Sequence, residues 1–157
     1  MSGFAQQKDA SQHNELRNIT DPHGPDSCRE PYASMYKDME FTQPKSATKS
    51  AKGLPAWGKM ASKSYGQSKY YGMVKCIDDN VGKILDALRG MDLIRKTIIV
   101  FTSDHGDLCG EHGRYNKNEP YEASAKVAFV VHAPGIIRPG TVVEEVMACV
   151  DFAPTIL

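Results

Sequence analysis

Apolar residues hold no steady period over residues 1–66 and then fall into step. Over 68–89, Met73, Val74, Ile77, Val81, Ile84, Leu85 and Leu88 recur at three- and four-residue steps. That spacing predicts one apolar stripe on a helix. Asp78, Asp79, Lys83 and Asp86 fall on its wetter side, and Gly90 supplies a stop. The period then shortens. Ile98-Ile99-Val100-Phe101 is β-branched and aromatic, which predicts a buried strand over 97–102. A loop to Pro120 follows, then a short helix over 121–125 and a strand over 127–132. Pro134-Gly135 and Pro139-Gly140 flank a turn that leads to a strand near 142–148. Asp151 is read as the N-cap of a helix over 152–157, with Pro154 in its first turn. Helix and strand alternate, so the class is an α/β layered sheet.

The chain upstream of this core is of another kind. Residues 1–19 are rich in Gln, Ser and Asn and read as a disordered tail. Residues 20–66 hold most of the prolines and many Lys, Ser and Gly residues, which predicts a long loop. The organisation is therefore a tail over 1–19 and one domain over 20–157, divided into a loop over 20–66 and a core over 67–157.

Charge changes the picture little. Lys+Arg and Asp+Glu are balanced at 19 each, which gives no reason to expect a nucleic-acid partner. Lys45, Lys49, Lys52, Lys59, Lys63 and Lys69, with Trp57 and Tyr65 nearby, form a diffuse run that reads as a solvated loop. No apolar stretch is long enough to span a bilayer, and no signal peptide is visible. Neither a membrane partner nor a compartment follows from the residues, and oligomeric state stays open. Cys28, Cys76, Cys109 and Cys149 have irregular spacing and read mostly as free thiols.

Chemistry concentrates at Thr102-Ser103-Asp104-His105-Gly106-Asp107, where the first strand would leave its sheet. Ligands in open α/β sheets bind beyond the carboxyl ends of strands. A carboxylate and an imidazole delivered there can hold a metal or a reacting group. Asp104 could otherwise cap its own turn, and His105 could bond a neighbouring carbonyl.

The string SDHGDLCGEHGRYNKNEPYEASAKVAFVVHAPG resembles the C-terminal half of the sulfatase catalytic domain, in the alkaline phosphatase superfamily. VDFAPTIL and Asp21-Pro22-His23-Gly24-Pro25 resemble two further family segments in the same order. The resemblance implies a partial alkaline-phosphatase-like sandwich, a mostly parallel sheet flanked by helices, with 20–66 as an active-site rim. It implies hydrolysis of sulfate monoesters of sugars or aryl alcohols, a sulfuric ester hydrolase. Asp104 and His105 would be metal ligands, with Ca²⁺ the family's ion and Mn²⁺ or Zn²⁺ the alternatives that an imidazole suits better. Lys117 would bind sulfuryl oxygens, and His23 would assist departure of the alcohol. His112 reads as a group that orders the loop, and Glu111 and Glu122 as structural.

No cysteine or serine here begins the Cys-x-Pro-Ser-Arg or Ser-x-Pro-x-Arg motif that supplies the family's formylglycine nucleophile. The paired aspartates that complete the family's metal site are absent too. The chain is therefore read as an inactive portion of such an enzyme. Family precedent points to the periplasm or the exterior. A phosphonate or phosphodiester hydrolase of the same superfamily and a noncatalytic remnant are the competing readings.

Overall fold

The computed structural model describes residues 19–24, 27–47 and 66–156. The tail over 1–18 and most of the lysine run, with Trp57 and Tyr65, lie outside the described residues. Within the loop region the chain forms one short helix, α1 (Tyr32–Met35). The dominant element is α2 (Gln67–Gly90), which runs one residue past each end of the predicted span. Gly90 closes the last turn rather than ending it, and Met91 is the C-cap, its N–H donating to Ala87 O at 3.0 Å. The exposed side is laced by Lys75 with Asp78 and Asp79, and by Asp86 with Arg89, at helix spacings that bring side chains together.

Two contacts dock α1 onto α2. Tyr32 is buried, and its hydroxyl donates to Asp79 Oδ2 at 2.9 Å. Its carbonyl lies so near Gly72 that a Cβ there would stand 2.3 Å from the oxygen, so only glycine fits this face of the helix. Met73, the next residue of α2, is fully buried.

The sheet has two strands, β1 (Ile99–Thr102) and β2 (Phe129–His132). They pair antiparallel, with Ile99 opposite His132 and Phe101 opposite Val130. The parallel sheet expected from the resemblance is therefore not what the described strands form. A parallel return needs a long crossover to the starting end. The connection over 103–128 is long enough for one, but it is tied to itself beyond the carboxyl end of β1, carries only a 3₁₀ turn and the single-turn helix α3 (Glu122–Ala125), and so returns from that same end.

Side-chain alternation sets the layers. Ile99, Phe101, Val130 and His132 share one face with Val81, Leu85 and Arg89 of α2, around an apolar cleft of about 310 Å³. On the other face Phe129 stacks on Phe152 at 5.0 Å, at the start of α4 (Phe152–Ile156). A small sheet thus lies between two helices. Tyr32, Met73, Leu108 and Ala133 are the buried apolar residues among those described. Fully burying Met73 and Leu108 is worth roughly 1.5–3 kcal/mol each.

Two C-terminal expectations change. No strand forms near 142–148, where Val142, Val143 and Val146 are 84%, 69% and 99% exposed. Valine-rich residues favour a strand only when a neighbouring strand takes their backbone groups and a face covers their side chains. Asp151 sits inside the 3₁₀ turn Cys149–Asp151 rather than at the helix N-cap, and its carboxylate accepts the Ala148 N–H at 2.8 Å.

Candidate functional site

β1 delivers Ser103 and Asp104 at its carboxyl end, and the turn there is tied by short local bonds. Asp104 Oδ1 accepts the His105 N–H at 2.9 Å, and Ser103 Oγ donates to the His105 carbonyl at 2.7 Å. His105 Nδ1 lies 2.7 Å from the Gly106 carbonyl. A carbonyl can only accept, so Nδ1 carries a proton and the neutral ring has its lone pair on Nε2. That nitrogen faces Asp104 Oδ2 at 3.6 Å. Burial pulls the Asp104 carboxyl upward, but His105 and the bonds it receives hold it below its ordinary 3.8.

The tract is pinned from behind. Gly106 N–H donates to Ser124 O at 2.8 Å, with the Ala123 carbonyl pressed against its Cα. Beyond it the loop closes on itself: Leu108 N–H donates to Asn116 O and Gly110 N–H to Arg114 O, both at 2.8 Å. Leu108 plugs the base, and Arg114 pairs with Glu119. Asn116 and Asn118 take φ of 63° and 80°, a left-handed conformation that asparagine tolerates better than most residues. Lys117 sits between them.

His23, Asp104, His105 and Lys117 all line one cavity of about 650 Å³. The His23 segment, 19–24 with Ser27, forms one wall, and 103–107 with Asn116 and Lys117 the other. His23 Nδ1 lies 2.8 Å from the Gly24 carbonyl, which leaves Nε2 as its outer nitrogen. His112 is not on the cavity. Its ring stacks on Tyr121 at 4.0 Å and its N–H donates to Ser46 O at 3.1 Å, so it joins the 110–121 loop to 46. His132 ends β2 with Nε2 at 3.2 Å from Ile94 O.

The cavity also takes Asp107, from the tract that follows β1, and two residues for which the sequence suggests no role, Tyr70 and Asn116. Tyr70 lies three residues before Met73 and reads as an extension of the apolar stripe; its hydroxyl is the one sign of another task. Burial first, then Cys109 and Asp107, pushes its phenol well above the ordinary 10, so it stays a neutral hydroxyl. Asp107 Oδ1 accepts the Cys109 N–H at 2.9 Å and shapes the turn. Among the described residues no third carboxylate, imidazole or thiolate joins Asp104 and His105 in a metal-binding group.

A strand-end carboxylate, an imidazole and a lysine line one wall of this cavity, with His23 on the other. The profile of the sulfatase family matches residues 19–157, and the chain belongs to that family. It is 32% identical over 169 residues to an arylsulfatase of Clostridium perfringens, covering 98% of this chain and 35% of that protein. It is 46% identical over 88 residues to arylsulfatase K of Gallus gallus, covering 56% of this chain and 16% of the other. The fold is similar to the yidJ protein of Bacteroides fragilis, with TM-score 0.57, 30% identity, and 74% and 25% of the two chains covered. A Bacteroides thetaiotaomicron chain described with the metabolism of multiple glycosaminoglycans gives TM-score 0.56 and 28% identity, covering 82% and 24%. The mixed helix-and-strand architecture is thus part of an alkaline-phosphatase-like α/β fold. The chain spans about a third or less of the length of these relatives. Family membership implies a divalent metal.

Proposed function

We infer that this chain carries the anion- and cation-binding side of a sulfatase site, whose complete reaction is hydrolysis of a sulfate monoester. The observation that carries the reading is the meeting of His23, Asp104, His105 and Lys117 on one cavity, from segments far apart in sequence. Asp104 Oδ2 and His105 Nε2, two lone-pair donors facing each other, fit two coordination positions of a divalent cation. Such an ion, when bound, draws charge from the sulfuryl oxygens. Calcium is the ion proposed, since the family's is calcium, with Mn²⁺ or Zn²⁺ the ions an imidazole would favour.

Lys117 supplies three donors and a compact charge to the same oxygens. His23, its Nδ1 held by Gly24 O, is placed to donate from Nε2 toward the departing alcohol oxygen when protonated. The substrate class proposed is a sulfate ester on a sugar or aryl alcohol. Relatives support it by name: one is an N-acetylglucosamine-6-O-sulfatase, 36% identical over 88 residues. No residue of the chain supplies the family's nucleophile motif, so these 157 residues alone are expected to turn over no aryl sulfate.

The test is a titration of inorganic sulfate and of an aryl phosphonate into the chain with Ca²⁺ present, followed by amide NMR. Perturbations confined to 23, 104–106 and 117, with sulfate the tighter ligand, support the reading. Tighter phosphonate binding would move it to a phosphonate hydrolase, and rapid aryl sulfate turnover by the pure chain would overturn it.

A further inference from the structure

Cys28 and Cys76 come from different parts of the chain and lie along the same seam, where the loop docks on α2. Cys28 Sγ lies 3.9 Å from the Lys69 carbonyl and 3.1 Å from where a Cβ on Gly72 would stand. Cys76 follows Gly72 by one helical turn, and residues four apart share a face with Cβ atoms ~5–6 Å apart. Tyr32 continues the same line, its carbonyl on Gly72 and its hydroxyl on Asp79. The segment over 28–32 therefore runs along the helix face that carries Cys76. Both thiols are half-buried and reduced. After burial, Cys76 is the strongest of the neighbours that raise the Cys28 thiol above its ordinary 9.0.

We propose that Cys28 and Cys76 are a redox pair that closes into a disulfide, stapling the loop that carries His23 to the helix that carries Tyr70. The oxidant is a small disulfide of the glutathione type. One cysteine thiolate attacks a sulfur of that disulfide and expels a thiolate, forming a mixed disulfide. The second cysteine thiolate then attacks the protein sulfur and expels the other small thiolate. Two protein thiols are oxidised, one small disulfide is reduced, and the protons pass to the two small thiolates. The staple holds the His23 wall of the cavity in one geometry relative to Tyr70 on α2. It asks for no other residue of the site and stands apart from the reading of the catalytic role.

The full chain is incubated with oxidised glutathione at mildly alkaline pH, in buffer and in concentrated guanidinium, then alkylated and digested with trypsin without reduction. In buffer, two of the four thiols disappear and the linked peptides are those of Cys28 and Cys76. In guanidinium the pairings scatter. A variant with Cys109→Ser and Cys149→Ser still forms the link in buffer, and adding Cys76→Ser leaves Cys28 as a glutathione adduct. A native map identical to the denatured one, links through Cys109 or Cys149, or glutathione adducts alone would each overturn the proposal.

Discussion

Gly106 passes directly beneath the Ala123 carbonyl, so closely that a Cβ at 106 would stand 2.0 Å from that oxygen. The contact bolts the Asp104-His105 turn to the backbone of α3, and Gly106 N–H bonds Ser124 O from the same position. Nothing softer than backbone can give way there.

Gly106→Ala should therefore cost about 3 kcal/mol, at the upper end of overpacking penalties, by urea denaturation. It should also shift the amide resonances of Asp104 and His105, since relief requires the turn to move off α3. A variant within ~0.5 kcal/mol of the parent would show that the contact is not the constraint claimed.

Lys117→Ala is expected to weaken sulfate binding by roughly tenfold, ~1.4 kcal/mol, measured by isothermal titration. Lys117→Arg should recover only part, because a planar fork does not reproduce a compact ammonium. Equal affinity in the alanine variant would remove Lys117 from the anion site.

Mn²⁺ should broaden the amide signals of 103–106 at concentrations on the order of 1 mM, the weak affinity expected of two donors. Asp104→Asn and His105→Gln should each abolish that broadening. Broadening that persists in both, or that centres elsewhere, would count against the pair as ligands.

Acid should loosen the docking of α1. Bonds from Lys75 and then from Tyr32 hold the Asp79 carboxyl below its ordinary 3.8. A group lowered on folding contributes stability above its unfolded pKa and loses it as pH falls through the folded one. The melting temperature should therefore decline below pH ~4, and Asp79→Asn should flatten that decline while lowering the plateau at neutral pH. The Tyr32 phenol is raised, chiefly by its bond to Asp79, so a matching loss is expected as pH climbs above 10. Superimposable pH curves for parent and variant would contradict the assignment.

Val142, Val146 and Val150 are more than four-fifths exposed. Replacing all three by Lys should suppress aggregation, followed by light scattering, and change stability by less than ~1 kcal/mol. A large loss of stability would mean these valines are covered in solution.

What was legible in the residues was local. The step pattern through Leu88 gave α2 to within a residue at each end, and the β-branched run before Thr102 gave β1 and the place where Asp104 emerges, although Val100 and Phe101 are exposed where that run predicts a buried strand. Strand direction was not legible, because it depends on how the chain travels between residues 103 and 128. The valines over 142–150 have strand composition, but pairing is a property of a neighbour, and none of the described strands lies beside them. Tyr70 was hidden for the opposite reason: it obeys the helix period so well that its place on the cavity left no mark in the spacing. His23 and Lys117 came to notice through family resemblance, and only folding brings them to one cavity. The Asn residues flanking Lys117 were a readable sign of an unusual turn.

The paired rungs at Leu108–Asn116 and Gly110–Arg114 divide the intervening chain into a clamped base and a tip. Evolution or a protein engineer could lengthen the tip around 111–113 at the cost of its own turn bonds and the Ser46 and Tyr121 attachments, leaving the rung below Lys117 in place. One residue added between Asp104 and Leu108 would shift Asp104 and His105 relative to Lys117 along the wall they share. Length variation in this stretch should thus be permitted on one side of the rungs and forbidden on the other.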